Sequence, residues 1–303
     1  MNSSSMEMIN GIKQHLRKSF SFTQKSVEQI RSEEAEALNA LPRITGIVTE
    51  RITIGGMQAE WVRAEEVPNE AIETILYFHG GAFISGSCDT HRDLAARISA
   101  VSNTRVLVIE YRLAPEHHYP AANEDCLSAY RWLIRQGISG EQIMLGGDSV
   151  GGCLALMTLL TLRDESDPVP SGAFLLSPHT DFLNFESASY RTRAELDPLG
   201  SLDSSKLCAD YYLGSTQPKP EIMSPVNQTL HGLPPLFIQV GDHEVLLDEC
   251  VLLAERAEAA GVTVTLEIWD HMWCVFQRLA GILPEGDQAI QHIGSFVRSR
   301  LYE

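Results

Sequence analysis

The 303-residue chain is 44% hydrophobic and 21% charged, with a net charge of -17. That supplies apolar material for one large core, and the acidic balance argues against nucleic acid or an anionic membrane surface, so a small molecule is the expected partner. No apolar run approaches the roughly 18 residues of a membrane span, and the opening Met1-Asn2-Ser3-Ser4-Ser5 lacks a signal-peptide core. Six cysteines without C-x-x-C pairing suit buried thiols in a reducing compartment, so a cytoplasmic location is expected, with neither a zinc site nor a disulfide framework.

In chain order, residues 1–40 carry apolar positions at helical spacing, Met8, Ile9, Ile12 and Leu16, then Val27 and Ile30. They predict two amphipathic helices that precede a sheet and can lie across it. From Ile44 the period becomes two, and residues 44–54 and 58–64 predict a hairpin about Gly55-Gly56. Short β-branched-rich runs then recur at 74–78, 105–110, 142–145, 173–177, 236–240 and 264–269. Helical patterns at 92–101, 122–135, 150–163, 245–260 and 287–302 separate most of them. Such alternation predicts an α/β fold, a mostly parallel eight-stranded sheet flanked by helices. The stretch 181–235 breaks the rhythm, with one helical piece at 204–212. A segment that long is usually a lid or binding wall, so 1–40 and part of 181–235 are expected to cap a catalytic domain of 41–303.

Gly147-Asp148-Ser149-Val150-Gly151 stands directly after an apolar run and directly before a helical one. Glycines on both sides of a serine at a strand-to-helix turn predict a nucleophile elbow, with the Ser149 hydroxyl presented beside a helix N-terminus. A hydroxyl is a weak nucleophile, so acyl transfer also needs a base, a group that orients the base and donors for the oxyanion. His79-Gly80-Gly81-Ala82-Phe83 follows the third strand, where adjacent glycines leave amides unobstructed. The expected oxyanion donors are the amides of Gly80, Gly81 and Val150.

His79-Gly80-Gly81, the run Tyr111-Arg112-Leu113-Ala114-Pro115-Glu116-His117, Tyr119-Pro120-Ala121-Ala122, the Ser149 elbow and Leu247-Asp248-Glu249 together resemble the hormone-sensitive-lipase family of α/β-hydrolase carboxylesterases. The resemblance spans roughly residues 40–303, with Ala82 and Val150 standing where that family usually has glycine and alanine. It implies an α/β-hydrolase fold with a helical cap, a Ser, acid, His triad, activity on short-to-medium acyl esters and no metal or organic cofactor. It also places the acid three residues after Gly241, at Glu244, and makes His117 structural, packed behind the oxyanion loop. Asp248 reads instead as an acidic residue in the first turn of the following helix.

The base must follow the acid in the chain, which leaves His271 and His292. His292 falls inside the last helical pattern. The family's base histidine follows a methionine by two and precedes a phenylalanine by two, and from Met272 and Phe276 that slot is Cys274. Three readings stand side by side: Cys274 replaces the histidine and leaves an inactive or impaired chain, His271 reaches Ser149 as an alternative base, or Cys274 itself takes the proton. The first is the expectation, because the spacing puts Cys274 in that slot, and a free thiol, mostly protonated at neutral pH, makes a poor base. Alternatives are a non-catalytic small-molecule binding protein on the same fold, as in the plant gibberellin receptors that resemble this family without its base, and an amidase or acyltransferase. The partner is a small ester, and a homodimer is compatible with this reading.

Overall fold

The chain's apolar runs become one eight-stranded sheet in the computed structural model, which describes residues 3–19, 22–39 and 42–302. The expected boundary between cap and catalytic domain, at residues 40 and 41, lies outside them, as do Met1 and Asn2. In chain order the elements are α1 (Ser3–Ser19), α2 (Val27–Asn39), β1 (Ile47–Ile54), β2 (Met57–Ala64), β3 (Thr74–Phe78), α3 (Cys88–Ser102), β4 (Arg105–Ile109), α4 (Ala121–Arg135), β5 (Ile143–Asp148) and α5 (Val150–Asp164). There follow β6 (Gly172–Leu176), α6 (Ser189–Thr192), α7 (Leu202–Leu213), β7 (Leu236–Gly241), α8 (Leu247–Ala259), β8 (Val264–Trp269) and α9 (Pro284–Leu301).

Spatial order is β1-β2-β4-β3-β5-β6-β7-β8. β1 pairs with β2, and β2 with β4, in antiparallel register, and from β4 to β8 every pair is parallel. The central strands β3, β5, β6 and β7 are buried at every position, which is why they read as continuous apolar runs rather than alternating ones. β1, at the edge, is mostly exposed. α5, behind the elbow, buries almost its whole surface, from Val150 through Leu162. This is the pattern of a helix enclosed on all sides. Among the described residues, no helix is long and apolar enough to cross a membrane.

Helix ends follow their caps. α3 begins four residues before the apolar period predicts, because the Ser87 hydroxyl accepts from the Thr90 amide while Thr90 returns the bond to the Ser87 amide. Ser201 and Ser204 start α7 in the same way. The segment 181–235 holds α6 and two 3-10 turns besides α7, short pieces that leave no period in a sequence.

The two N-terminal helices form, and each is anchored to the sheet domain. In α1, Ile9 is fully buried against Met272, Trp273, Phe276 and Leu283. In α2, Val27 and Ile30 enter the main core. The Arg31 guanidinium donates to the carbonyls of Ile84 (2.6 Å) and Ala114 (3.0 Å) while pairing with both oxygens of Glu116.

Candidate active site

Because β3 and β5 to β8 run parallel, their carboxyl ends lie along one edge of the sheet, the place where open α/β sheets hold ligands. β5 ends at Asp148 and α5 begins at Val150, leaving Ser149 to make the whole turn at φ 52° and ψ -118°. A non-glycine residue held there costs about 1–3 kcal/mol and persists only where its surroundings fix it. Here the Ser149 amide donates to Leu176 O at 2.8 Å, and its carbonyl accepts from the His179 amide at 3.2 Å. Gly151 is obligatory, since a Cβ on it would stand 2.0 Å from Phe78 O. The Val150 amide opens the first turn of α5, where backbone donors lack helical partners and the dipole favours an anion.

Across from the elbow, Gly81 (φ 115°), Ala82 (φ 56°) and Phe83 (φ 61°) form a left-handed loop. Asp148 braces it: Oδ1 accepts the Gly80 amide at 2.9 Å and the Tyr77 hydroxyl at 2.8 Å, with His91 Nε2 at 3.3 Å. Burial alone would raise this carboxyl, but His91, Arg278 and Tyr77 hold it down to about 2. The Gly80 amide is therefore already engaged by Asp148. The amides of Gly81, Ala82 and Val150 make no hydrogen bond among the described residues. Behind the loop lies Tyr111 and not His117, which is exposed. The Tyr111 ring stacks on His79 at 4.2 Å and its hydroxyl donates to His79 O at 2.8 Å. Burial and then His91 push His79 down to about 4, so its ring is neutral.

After β7, Glu244 is fully buried, its Oε1 accepting the Gly241 amide (2.6 Å) and the Ser177 hydroxyl (2.8 Å). Its Oε2 has no partner among the described residues, and burial holds the carboxyl well above its usual range. Ser177 also accepts from the Val275 amide at 3.1 Å, so one hydroxyl ties the end of β6 to the loops after β7 and β8. Asp248 stands in the first turn of α8 and accepts from the Ser189 amide at 2.8 Å.

His271 (φ 64°) has its amide on Asp242 Oδ1 and its ring edge-on to His243 at 5.3 Å. Cys274 lies in the wall of the cavity that Ser149 opens into. Burial first, then Glu244, Asp197 and Asp148, drive its thiol well above the ordinary range, so Cys274 stays protonated and is no proton acceptor. The expectation that Cys274 takes the base position and leaves the chain inactive or impaired is corrected by His292. On α9, His292 Nδ1 lies 2.8 Å from Glu267 Oε1, with no cysteine beside it. Motif spacing passes over His292 because it falls inside a helix. A histidine already oriented by a carboxylate therefore follows Glu244 in the chain, and the non-catalytic alternative falls together with the impaired one. The His292 side chain is 41% exposed and its ring lies 5.6 Å from that of Trp269. Neither His271 nor His292 lines the cavity, whereas His15 and His179 do.

The cavity measures about 560 Å³, in the range of small-molecule sites. Ile12 and Leu16 of α1, Ile30 of α2, Cys208 of α7 and Leu279 give it an apolar lining, and the Glu34–Arg278 ion pair (3.2 Å) adds a polar flank. Sequence reasoning missed Asp148, Ser177 and His179. The available signal was place in the chain, since each lies at the carboxyl end of a parallel strand or in the loop that follows it.

Residues 75–278 match the α/β-hydrolase fold family. An acetyl-hydrolase of Streptomyces hygroscopicus is 40% identical over 248 residues, 82% of each chain. The crystal structure of an esterase from the bacterial hormone-sensitive lipase family superposes with a TM-score of 0.92 at 38% identity, covering 99% of both chains. EstE5, in a crystal soaked with p-nitrophenyl butyrate, gives 0.91 at 39% identity, covering 97% of this chain and 99% of that one. With the elbow, the left-handed loop and the buried glutamate on one sheet edge, this chain belongs to the hormone-sensitive-lipase family of α/β-hydrolases and is a serine esterase.

Proposed function

We propose that the chain hydrolyses short-to-medium acyl esters of small alcohols, with Ser149 as nucleophile and Glu244 as the acid of its triad. Ser149 Oγ attacks the ester carbonyl, and the amides of Gly81, Ala82 and Val150 receive the developing oxyanion. Each such donor is worth about 3–4 kcal/mol of transition-state stabilisation. A histidine that follows Glu244 in the chain takes the serine proton and passes it to the leaving alkoxide, and water, giving a proton to the same histidine, then attacks the acyl-enzyme and regenerates the serine. The carrying observation is the Ser149 backbone, forced to φ 52° between a buried strand and a buried helix and lining one cavity with Gly81, Ala82 and Val150, whose amides are unengaged. Two relatives support the substrate class, one named an acetyl-hydrolase and one soaked with a butyrate ester. Six cysteines standing as free thiols support work in the cytoplasm.

Hydrolysis of p-nitrophenyl acetate, butyrate and octanoate tests this reading. Ser149→Ala should lower turnover by several orders of magnitude, on the order of a million-fold by comparison with other serine hydrolases, with an unchanged circular dichroism spectrum. Retained turnover in that variant overturns it. His271→Gln and His292→Gln, assayed across pH, identify the proton acceptor as the position whose loss lowers kcat while KM holds.

A further inference from the structure

A buried chain of hydrogen bonds unconnected to Glu244 reaches the cavity wall beside the nucleophile. Glu249 of α8 is 1% exposed, and its Oε2 accepts the amides of Thr180 (2.9 Å) and Asp181 (3.2 Å). Its Oε1 meets the hydroxyl of Tyr190 at 2.9 Å, and that hydroxyl meets His179 Nε2 at 3.1 Å. His179 lies 3.9 Å from the Phe182 ring, donates its amide to the Ser149 carbonyl and lines the cavity. Its second ring nitrogen, Nδ1, makes no hydrogen bond among the described residues. A packed helix and a short α6 turn thus hold an imidazole whose one uncommitted nitrogen belongs to a cavity-lining residue.

We propose that His179 is a specificity-determining residue of this esterase, hydrogen-bonding a keto or hydroxyl group that the ester carries near its scissile bond, with Tyr190 and Glu249 setting which ring nitrogen holds the hydrogen. Burial, with Asp181 as the nearby charge, keeps the ring neutral, down at about 3, so it recognises a neutral group by donating or accepting and never as a cation. Tyr190 has one hydroxyl hydrogen, which couples the two ends. When Glu249 is protonated, the two backbone amides on Oε2 place its hydrogen on Oε1, which donates to Tyr190. Tyr190 then donates to His179 Nε2, and Nδ1 carries N–H. When Glu249 is ionised, Tyr190 donates to it, Nε2 donates to Tyr190, and Nδ1 is a bare acceptor. Burial raises Glu249 to about 8, so the change falls within an accessible pH range. Facing the relay are the Asp181 carboxylate, the buried thiols of Cys153, Cys208 and Cys250, and the Ser205 hydroxyl beside Tyr190. Burial drives those thiols far above their ordinary range, so they stay neutral throughout.

The inference rests on Ser149 as nucleophile, which turnover of an unsubstituted ester tests separately. Rates on ethyl 3-oxobutyrate, ethyl 3-hydroxybutyrate and ethyl butyrate, followed by alkali titration from pH 6.5 to 9.5, are compared as ratios of kcat/KM, in which the ionisation of the catalytic base cancels. A keto group can only accept, so its advantage over butyrate should fall about three- to tenfold, the worth of one hydrogen bond, as pH rises through 8, while that of the hydroxy ester persists. Glu249→Gln keeps an oxygen for the two amides and donates permanently to Tyr190, so the keto preference should persist at high pH. Tyr190→Phe should abolish the pH dependence, and His179→Leu should bring the kcat/KM values of the three esters together. Ratios unchanged by pH in the wild-type chain, or a Glu249→Gln variant that follows the wild-type curve, overturn the proposal. Should His179→Leu fail to fold, the nearly isosteric Glu249→Gln decides alone.

Discussion

Asp148 joins the Ser149 turn to the loop of Gly80 to Phe83, because one buried oxygen takes both the Gly80 amide and the Tyr77 hydroxyl. Asp148→Asn keeps the shape and removes the charge facing His91, so stability should fall by about 1–3 kcal/mol. Loosening the loop that carries Gly81 and Ala82 should also lower kcat about 10- to 100-fold, with little change in KM. The folded carboxyl sits at about 2 and an unfolded one near 3.8. The unfolded chain therefore binds the proton first on acidification. Stability from Asp148 is whole above pH 4 and disappears as pH falls toward 2. Thermal melts of wild type and Asp148→Asn should converge across that interval, and parallel curves would show that the carboxylate is not the source. Gly151 gives a second test at this scale. Gly151→Ala would drive a Cβ to 2.0 Å from Phe78 O, so at least about 1–3 kcal/mol is lost, read from the urea midpoint.

α1 is fastened where Lys13, 5% exposed, meets His243 Nδ1 and lies 5.7 Å from the Trp273 ring centre. His243 is adjacent to Glu244 and Trp273 to Cys274, so the helix that forms one cavity wall is tied to residues beside the site. Burial lowers Lys13 to about 8 from 10.5. The unfolded chain then binds this proton more tightly, and the stability cost is full below pH 8 and gone above 10.5. Relative to Lys13→Met, the wild-type melting temperature should rise with pH through that window, and Lys13→Met should raise KM for butyrate more than it lowers kcat. α2 depends on Arg31. Its exposed pair with Glu116 is worth little, but its bonds to two carbonyls need a planar fork, so Arg31→Lys should release α2 to limited proteolysis nearly as well as Arg31→Ala does. Elements as such were legible in the sequence: β3 and β8 fall where the periodicity puts them, and the other strands shift by at most three residues at an end. Interior strands announce themselves as apolar runs and helices by their period, and the strand-to-helix turn at Ser149 needed only its flanking glycines. What stayed hidden depends on contacts distant along the chain. Glu249 reads as one more acidic residue in a first helical turn, and nothing near Tyr190 in sequence says that it bridges to His179. Cys274 was legible as a position and misleading as a role, since spacing alone reports neither the burial that keeps the thiol neutral nor the His292–Glu267 pair.

For the whole molecule, a net charge of -17 surrounds a cavity of apolar lining. Such a field repels anionic esters before they reach Ser149 and leaves neutral ones unaffected. Raising salt from 10 mM to 300 mM should therefore increase kcat/KM for the mono-p-nitrophenyl ester of succinate several-fold and leave that for p-nitrophenyl butyrate flat, because the Debye length shrinks from about 30 Å to under 10 Å. Equal salt dependence of the two esters would put the discrimination inside the cavity.

The seat of α1 has a consequence for synthesis. Ile9 and Lys13 are made long before their partners Met272 and Trp273. At about 5–20 residues per second, the helix waits on the order of tens of seconds with Ile9, Ile12 and Leu16 uncovered. A nascent chain of this protein is therefore an exposed amphipathic helix trailing an unfinished sheet, and the roof over Ser149 closes only once the last strand is in place.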